Sequence, residues 1–475
     1  MVLIVLLTRL HGTNKMVDTV RTRSQLQTAF ADNTAGNISA QNGRDLVVSS
    51  FGYVGTGTPG VNNDAVDTAG KGAYFDAGSL WFDTTNNVVW SCLSGATGAA
   101  KWIQVFPADV DLAVCNGRLS LSSSDPIGEN LSSQSVYLLP YKGNRVKLWN
   151  GNNWITQIIP AGLSPLTLSA PFGIYSIFLN SSLVLSSTQW TQSSWNISSV
   201  GVTGSVATIV VTSNHGLSVG QMVGVSGQTG TLGTDAKNGL NGRMWTITSI
   251  PQTNQLTLQQ DATGLTGTIS GLVYGPSTPP ALTYQDGVLV LGSDTTKRFL
   301  GTVMCLDPTQ SGTFAVQNTP RQRMLWNYYN RVAHPLSANN FGAVWGTNTS
   351  WTYTTQAFRI SAGDIRNRVE ILVGYAEDCI KLTAMSMLSN TNNGGWGNTA
   401  IGEDTCIAAS PSCISVPNYN SSGSTIESSV ASVSKLPTVG YHYYAWLEQS
   451  MGAGTTTWRG SDVNVMTGIN GLVFG

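Results

Sequence analysis

Hydrophobic residues along this chain fall in short runs. Clusters of Val, Ile, Leu, Thr, Tyr and Trp are bounded at close intervals by Gly, Asn, Asp, Ser and Pro, the pattern of antiparallel strands joined by turns. One stretch differs: Leu26, Ala29 and Phe30 recur at helical spacing and predict a short helix over Arg23–Asp32. The chain is therefore expected to be all-β, an elongated, multidomain series of antiparallel modules with a short N-terminal helix.

Two segments share a layout and read as a degenerate repeat. The first runs Ser79-Leu-Trp81-Phe-Asp through Asn87-Val-Val-Trp90 and closes on Lys101-Trp102; the second runs Ser135-Val-Tyr137 through Trp149 and closes on Trp154-Ile-Thr-Gln. Each is a strand, a polar turn, a strand carrying a Trp, a second turn and a strand opening on Trp. Units this small must stack on neighbours to bury a core.

The opening apolar run, Met1 to Leu7, is shorter than the roughly 20 residues that span a bilayer. It also lacks the basic start and small-residue cleavage site of a signal peptide. Because Met16 opens a sequence that reads naturally as a beginning, residues 1–15 are expected to be a flexible arm or a mis-assigned start.

Composition narrows the function classes. Only 10% of residues are charged, 24 Lys and Arg against 25 Asp and Glu, while 41% are hydrophobic and 52 are Gly. Ordinary domains carry about 25% charged residues, so solubility here rests on Ser, Thr, Asn, Gln and Gly. With a net charge of −1 and no basic run, nucleic acid and membrane insertion are not expected. Six scattered cysteines, with no CxxC pair, predict no metal site; Cys406 and Cys413 are close enough for a local bridge, although free thiols fit a cytoplasmic assembly better.

The Leu80-Trp-Phe-Asp-Thr-Thr-Asn-Asn87 hairpin resembles small repeats of tailed-bacteriophage virion proteins. Within 205–275, His215-Gly-Leu217, Asn241-Gly-Arg-Met-Trp245 and Leu256-Thr-Leu258 resemble the small β-barrel insert of such proteins, with one extra residue between the Asn-Gly and the Trp. Tyr175–Leu185 before this insert and Ala281–Thr302 after it, continuing to Gly471, resemble a phage virion or tail-fibre module. The resemblance implies a homotrimer located in the virion, whose partners are itself, other virion proteins and a host surface glycan or protein. It divides the chain into an attachment region with a hairpin repeat at 16–108, a second hairpin repeat or stalk at 109–164, a C-terminal module at 165–197 plus 276–475, and the barrel at 198–275. A tail fibre is the expected function, ahead of a head or collar decoration protein and then a polysaccharide-degrading tailspike.

Enzymatic motifs are weak. Gly216-Leu-Ser218-Val-Gly220 fits GxSxG, but a nucleophile elbow needs a following helix, which a barrel turn does not supply. Glu377-Asp378 and Glu403-Asp404 are adjacent, so neither pair faces one way along a strand. His11, His215, His334 and His442 have no metal-ligand spacing. No enzyme, cofactor or metal is expected.

Aromatic side chains are better candidates, because Trp and Tyr faces suit sugar rings and protein hot spots. Trp396, in a polar Asn-Asn-Gly-Gly-Trp-Gly-Asn loop, is the first choice for ligand contact, followed by Trp351, Tyr353 and Tyr441. Arg298, Arg321, Arg323 and Arg331 stand out in so neutral a chain; Arg298, Arg323 and Arg331 are expected at a subunit interface, together with Trp446.

Overall fold

The computed structural model describes residues 53–106 and 112–475, less positions 86–87, 169–171, 205, 236, 268–269, 308–313, 340–349, 420–424 and 461–465, together with Gln25, Leu26, Thr28, Phe30 and Leu46. The chain divides into two compact units, residues 1–111 and 112–475. Nearly all regular structure among the described residues is β. Of the expected helix, Gln25, Leu26 and Thr28 are helical and the Phe30 N–H donates to Leu26 O at 2.8 Å; residues 1–15 lie outside the described residues.

The first unit contains a four-stranded sheet of Tyr53–Gly55, Leu80–Asp83, Val88–Ser94 and Lys101–Phe106, the first pair parallel and the rest antiparallel. Its core is small and aromatic: Phe75 and Trp81 are buried with Tyr53 and Trp102 against them, and the rings of Trp81 and Trp102 meet edge-on at 6.0 Å. A core this size needs its loops tied down. Asp64, fully buried, accepts N–H bonds from Val66 at 3.1 Å, Thr68 at 3.0 Å and Gly98 at 2.7 Å. Burial alone would raise its pKa, but these donors hold it far below the usual carboxylate range. Asp64→Asn is expected to lower the melting temperature of this unit. The loss is full above the ordinary carboxylate pKa and shrinks as pH falls through it; an unchanged melting curve at neutral pH refutes the role.

In the second unit two sheets and a barrel share one body. A 14-stranded sheet is built around Gly173–Leu179, Asp294–Leu306, Arg368–Val373, Gly440–Ser450 and Trp396–Glu403. One of its faces packs on a seven-stranded sheet containing Ala333–Asn339, Gly468–Phe474, Ile380–Asn390, Glu427–Lys435 and Cys413–Val416. Strand Ile380–Asn390 alternates: Ile380, Leu382, Ala384 and Leu388 point into the sandwich while Lys381 and Thr383 point out. Strand Gly440–Ser450 is covered on both faces, so its Tyr-His-Tyr-Tyr-Ala-Trp-Leu run has no polar alternation. Tyr444 and Trp446 face the sandwich core; Tyr441, Tyr443, Ala445 and Leu447 face the other core.

A closed six-stranded barrel is inserted in this sheet, in the order Thr191–Thr203, Val206–Val211, Gln255–Leu258, Arg243–Gln252, Met222–Ser226 and Leu272–Thr278. It begins earlier than residue 198 because its first strand is shared. Residues 191–196 pair with Leu272–Thr278 and residues 197–203 with Val206–Val211, with irregularities at Gln192/Ser194 and Ile197/Ser199 that let the sheet turn and close. The signature residues each brace it. His215 Nδ1 accepts the Leu217 N–H at 3.0 Å; Asn241 exchanges two bonds with the Gln228 backbone; Trp245 is buried and donates to Leu240 O at 3.0 Å.

Residues 112–164 are not a separate stalk. Val136, Leu138, Val146 and Leu148 are buried in one core with Leu300, Val303 and Leu325, and Leu131–Ser133 pairs with Ala315–Asn318 of the large sheet. A hairpin with Trp149 opposite Trp154 reads alike in both units, but this one spends its inward face on the large sheet.

Candidate functional site

Trp396 opens a strand, where the sequence suggested a loop. The preceding Gly-rich turn is rigidly held: Asn390 Oδ1 accepts the Asn392 N–H at 2.8 Å, Asn390 Nδ2 donates to Thr456 Oγ1 at 2.8 Å, and the Gly395 N–H donates to Asn392 O at 2.9 Å. Strand Trp396–Glu403 lies between Asn418–Tyr419 and Gly440–Ser450, with Trp396 opposite Tyr419 and Asn398 opposite Gln449. Gly397 and Ile401 face the seven-stranded sheet, so Trp396, Asn398, Tyr419 and Gln449 share the opposite face.

These four form an aromatic pair beside an amide pair. Tyr419 is 64% exposed, and Trp396, Asn398 and Gln449 are half-buried. Among the described residues the Trp396 indole N–H, the Tyr419 hydroxyl and the Gln449 amide have no hydrogen-bond partner, and Asn398 Oδ1 is buried without one. An aromatic face that stacks on an apolar ring surface, next to amides that donate to and accept from hydroxyls, is the chemistry that binds a neutral polyhydroxylated ligand. Sequence reading reached Trp396 but not Tyr419 or Gln449, because the strand pairings that bring them in join positions more than twenty and about fifty residues apart.

The other expected contact residues are engaged internally. Trp351 donates its N–H to Glu448 Oε2 at 2.6 Å and meets Trp446 edge-on. Arg359 covers the Tyr353 ring at 3.9 Å and binds Glu448 Oε1 at 2.7 Å, while the Tyr353 hydroxyl donates to Ala357 O. Burial raises the pKa of Glu448 despite Arg359. Tyr441 is buried and donates to Glu370 Oε2 at 2.8 Å. It stands at the far end of its strand from Trp396, about 30 Å away at the usual rise per residue, so it does not share that site.

Of the residues expected at a subunit interface, Arg298, Arg323 and Trp446 are buried within this chain, whereas Arg331 is partly exposed. Arg298 is buried on backbone carbonyls. Arg323 binds Glu129, Asn318 Oδ1 at 3.0 Å and Pro335 O at 2.7 Å. Arg331 reaches Asp378 at 2.6 Å and also Glu377, and lies over the Trp326 ring. Trp446 is fully buried and donates to Ser386 Oγ at 2.9 Å. In a chain this poor in charge each guanidinium meets an internal need first.

The remaining motifs have local explanations. Ser218 sits in the turn between Val206–Val211 and Met222–Ser226, its N–H bonded to Gln221 Oε1 at 2.9 Å; a strand follows it. Glu403 takes Lys435 at 2.6 Å, and Asp404 lies 2.7 Å from His442 Nδ1. All six cysteines are free thiols, Cys406 and Cys413 included, and among the described residues no acidic, His or Cys cluster could hold a metal ion. A cavity of about 280 Å³ opens between the barrel and the large sheet, with Phe172, Met222, Met244 and Met304 in its wall. Its polar groups are already engaged: Gln192 donates to Phe172 O, Trp190 to Ser176 Oγ and Tyr441 to Glu370, which leaves little to orient a ligand. No described helix is long and apolar enough to cross a membrane.

No protein-family model matches the chain, and no curated protein matches it in sequence. Solved structures show faint likeness. Dimeric latent PorU from Porphyromonas gingivalis is 8% identical over 64% of this chain, which spans about a quarter (24%) of that protein, with a TM-score of 0.19. An exo-β-1,3-galactanase from Phanerochaete chrysosporium is 8% identical over 81% of this chain and 75% of its own, with a TM-score of 0.14. The VP2 subviral particle of infectious bursal disease virus is 10% identical over 70% and 72%, with a TM-score of 0.12.

Proposed function

We propose that this chain is a structural fibre protein of a tailed bacteriophage, attached to the particle by its N-terminal region and touching the host surface through the second unit. The phage assignment rests on the sequence resemblance. The contact role is supported by one observation: among the described residues the Trp396 indole, the Tyr419 hydroxyl, the Gln449 amide and Asn398 Oδ1 stand without a hydrogen-bond partner on one sheet face, the first three on partly or largely exposed side chains. Each particle carries many copies, so weak contacts with a surface glycan multiply by avidity.

The test is adsorption. Purified protein carrying Trp396→Ala or Tyr419→Ala is expected to compete for host cells at least about fivefold less well than wild type, since loss of a stacking aromatic costs a binding site more than about 1 kcal/mol. Both positions are partly exposed, so melting curves should stay unchanged. Equal competition by both variants removes the contact role. Antibody labelling of intact particles against the second unit separates a tail tip from a head or collar location; signal on the head leaves a decoration protein.

A further inference from the structure

Seven Asn-Gly pairs occur in the chain, at Asn42, Asn116, Asn150, Asn238, Asn241, Asn393 and Asn470; Asn42 lies outside the described residues. A glycine after asparagine has no side chain to shield its amide nitrogen, so that nitrogen can close on the asparagine's own amide carbon. Structure decides which pair is free to do so. Asn241 is buried and exchanges two bonds with the Gln228 backbone, and the Gly242 N–H donates to Val225 O at 2.8 Å. Asn238 is buried, and the Gly239 N–H donates to Asp235 O at 2.8 Å. Asn470 sits in strand Gly468–Phe474, which is paired on both sides. Asn116 Nδ2 donates to Lys142 O at 3.1 Å, and Asn150 Oδ1 accepts the N–H groups of Asn152 and Asn153 at 2.9 and 2.8 Å.

Asn393 is placed differently. It and Gly394 are exposed at the centre of the turn closed by the Gly395 N–H on Asn392 O at 2.9 Å. Gly394 holds φ +72, the left-handed value that a type II turn needs at its third position. The ends of this turn are tied. Its middle is not: among the described residues the Asn393 side chain, Asn393 O and the Gly394 N–H have no hydrogen-bond partner. A Cβ built on Gly394 would meet nothing within 4 Å, so the central peptide has room to rotate.

From this we propose that Asn393 is a site of spontaneous covalent modification that ages the face carrying Trp396. The Gly394 nitrogen attacks Asn393 Cγ; an N–Cγ bond forms, the Cγ–Nδ2 bond breaks, and the Gly394 amide proton leaves with Nδ2 as ammonia. Water, the only co-reactant, then opens the cyclic imide. Opening at Cγ gives aspartate. Opening at the main-chain carbonyl carbon gives isoaspartate, which routes the backbone through the former side chain and adds a methylene to the turn. Either product sets a carboxylate three residues before Trp396, at a face whose Trp396, Asn398, Tyr419 and Gln449 are uncharged, and isoaspartate also lengthens the turn that leads into Trp396. The consequence for host contact rests on the role proposed for that face; the conversion itself does not.

Peptide mass spectrometry of the full chain, held in mildly alkaline buffer for increasing times, tests it. Asn393 is expected to convert at least about tenfold faster than Asn241 or Asn470, whose Asn-Gly amides must first leave their hydrogen bonds. The product should separate by ion exchange, since a carboxylate is added to a chain of net charge −1. Asn393→Gln, whose ring closure needs a further methylene, should remain unconverted, with a wild-type melting curve and wild-type competition for host cells when fresh. Aged wild type should lose competition in proportion to the fraction converted, and aged Asn393→Gln should keep it. Conversion of Asn393 no faster than that of Asn241 and Asn470 overturns the proposal. Conversion with undiminished competition, while fresh Trp396→Ala competes poorly, overturns the ageing of that face. Fresh Trp396→Ala competing as well as wild type removes the host-contact reading instead, and the mass readout still decides the modification.

Discussion

Glu370→Ala is expected to cost about 3–5 kcal/mol of stability, the range for removing one member of a buried ion pair. Glu370 is 2% exposed and holds four partners: Arg368 Nε at 3.1 Å and Arg321 Nη1 at 3.3 Å on one oxygen, Gln322 Nε2 at 3.0 Å and the Tyr441 hydroxyl at 2.8 Å on the other. Alanine would strand Arg368, itself buried and lying over the Tyr443 ring at 4.3 Å, with Met244 O at 3.1 Å and the Cys406 thiol left beside it. The lesion sits where the barrel meets the large sheet, so it should loosen both. Burial alone would raise the Glu370 pKa, but Arg368 and Arg321 outweigh it and hold the carboxyl down to about 2. A depressed carboxylate stabilises the fold fully above its unfolded value of about 4.5. That contribution is lost as pH falls toward 2. Glu370→Gln keeps the volume and removes the charge, so its urea midpoint should fall less than that of the Ala variant and its stability should slope less between those pH values. An unfolding free energy within about 1 kcal/mol of wild type for Glu370→Ala would show the cluster to be dispensable.

What the sequence made legible follows the range of each signal. Strands and turns are local, so the all-β character was readable from run lengths and Gly or Asn punctuation. The barrel's markers were readable for a related reason: His215, Asn241 and Trp245 each brace a contact within about forty residues. Long-range docking left no such trace. The Trp149–Trp154 hairpin looks like the hairpin of the first unit, yet its inward Val146 and Leu148 meet Leu300 and Val303, a partner that no local pattern announces. The polar, Gly-rich sequence around Trp396 marks a surface position, whereas the burial of Tyr441 and Trp446 has no local sign, because a strand covered on both faces shows no alternation. The burial of Arg298 and Arg323 has an energetic reason. A rare charge in a neutral chain looks like a surface device, but here the rare charges satisfy internal acceptors.

Arg298 states that reason most sharply, and Arg298→Ala is expected to destabilise the second unit by about 3–5 kcal/mol. Its guanidinium is 1% exposed and donates to Lys147 O at 2.6 Å, Ala113 O at 2.6 Å, Leu112 O at 3.1 Å and the Tyr329 hydroxyl at 3.1 Å. The Tyr329 ring stacks on it at 4.5 Å. Those carbonyls belong to the segment entering the unit and to strand Arg145–Trp149, which have no sheet partner at these points in the large sheet. One planar fork on strand Asp294–Leu306 therefore ties the first hairpins to the central sheet. Alanine would remove the Arg298 guanidinium from three carbonyls and leave a cavity beside Tyr329. Lysine keeps the charge, but a single ammonium cannot reach across the spread of a guanidinium, so Arg298→Lys should recover less than half of the loss. Hydrogen exchange locates the effect: amides at 114–117 and 145–149 should lose protection in both variants before the sandwich core around Trp446 does. Uniform loss across the unit, or full rescue by lysine, would refute the fork as the tie and reduce Arg298 to a buried side chain of the right volume.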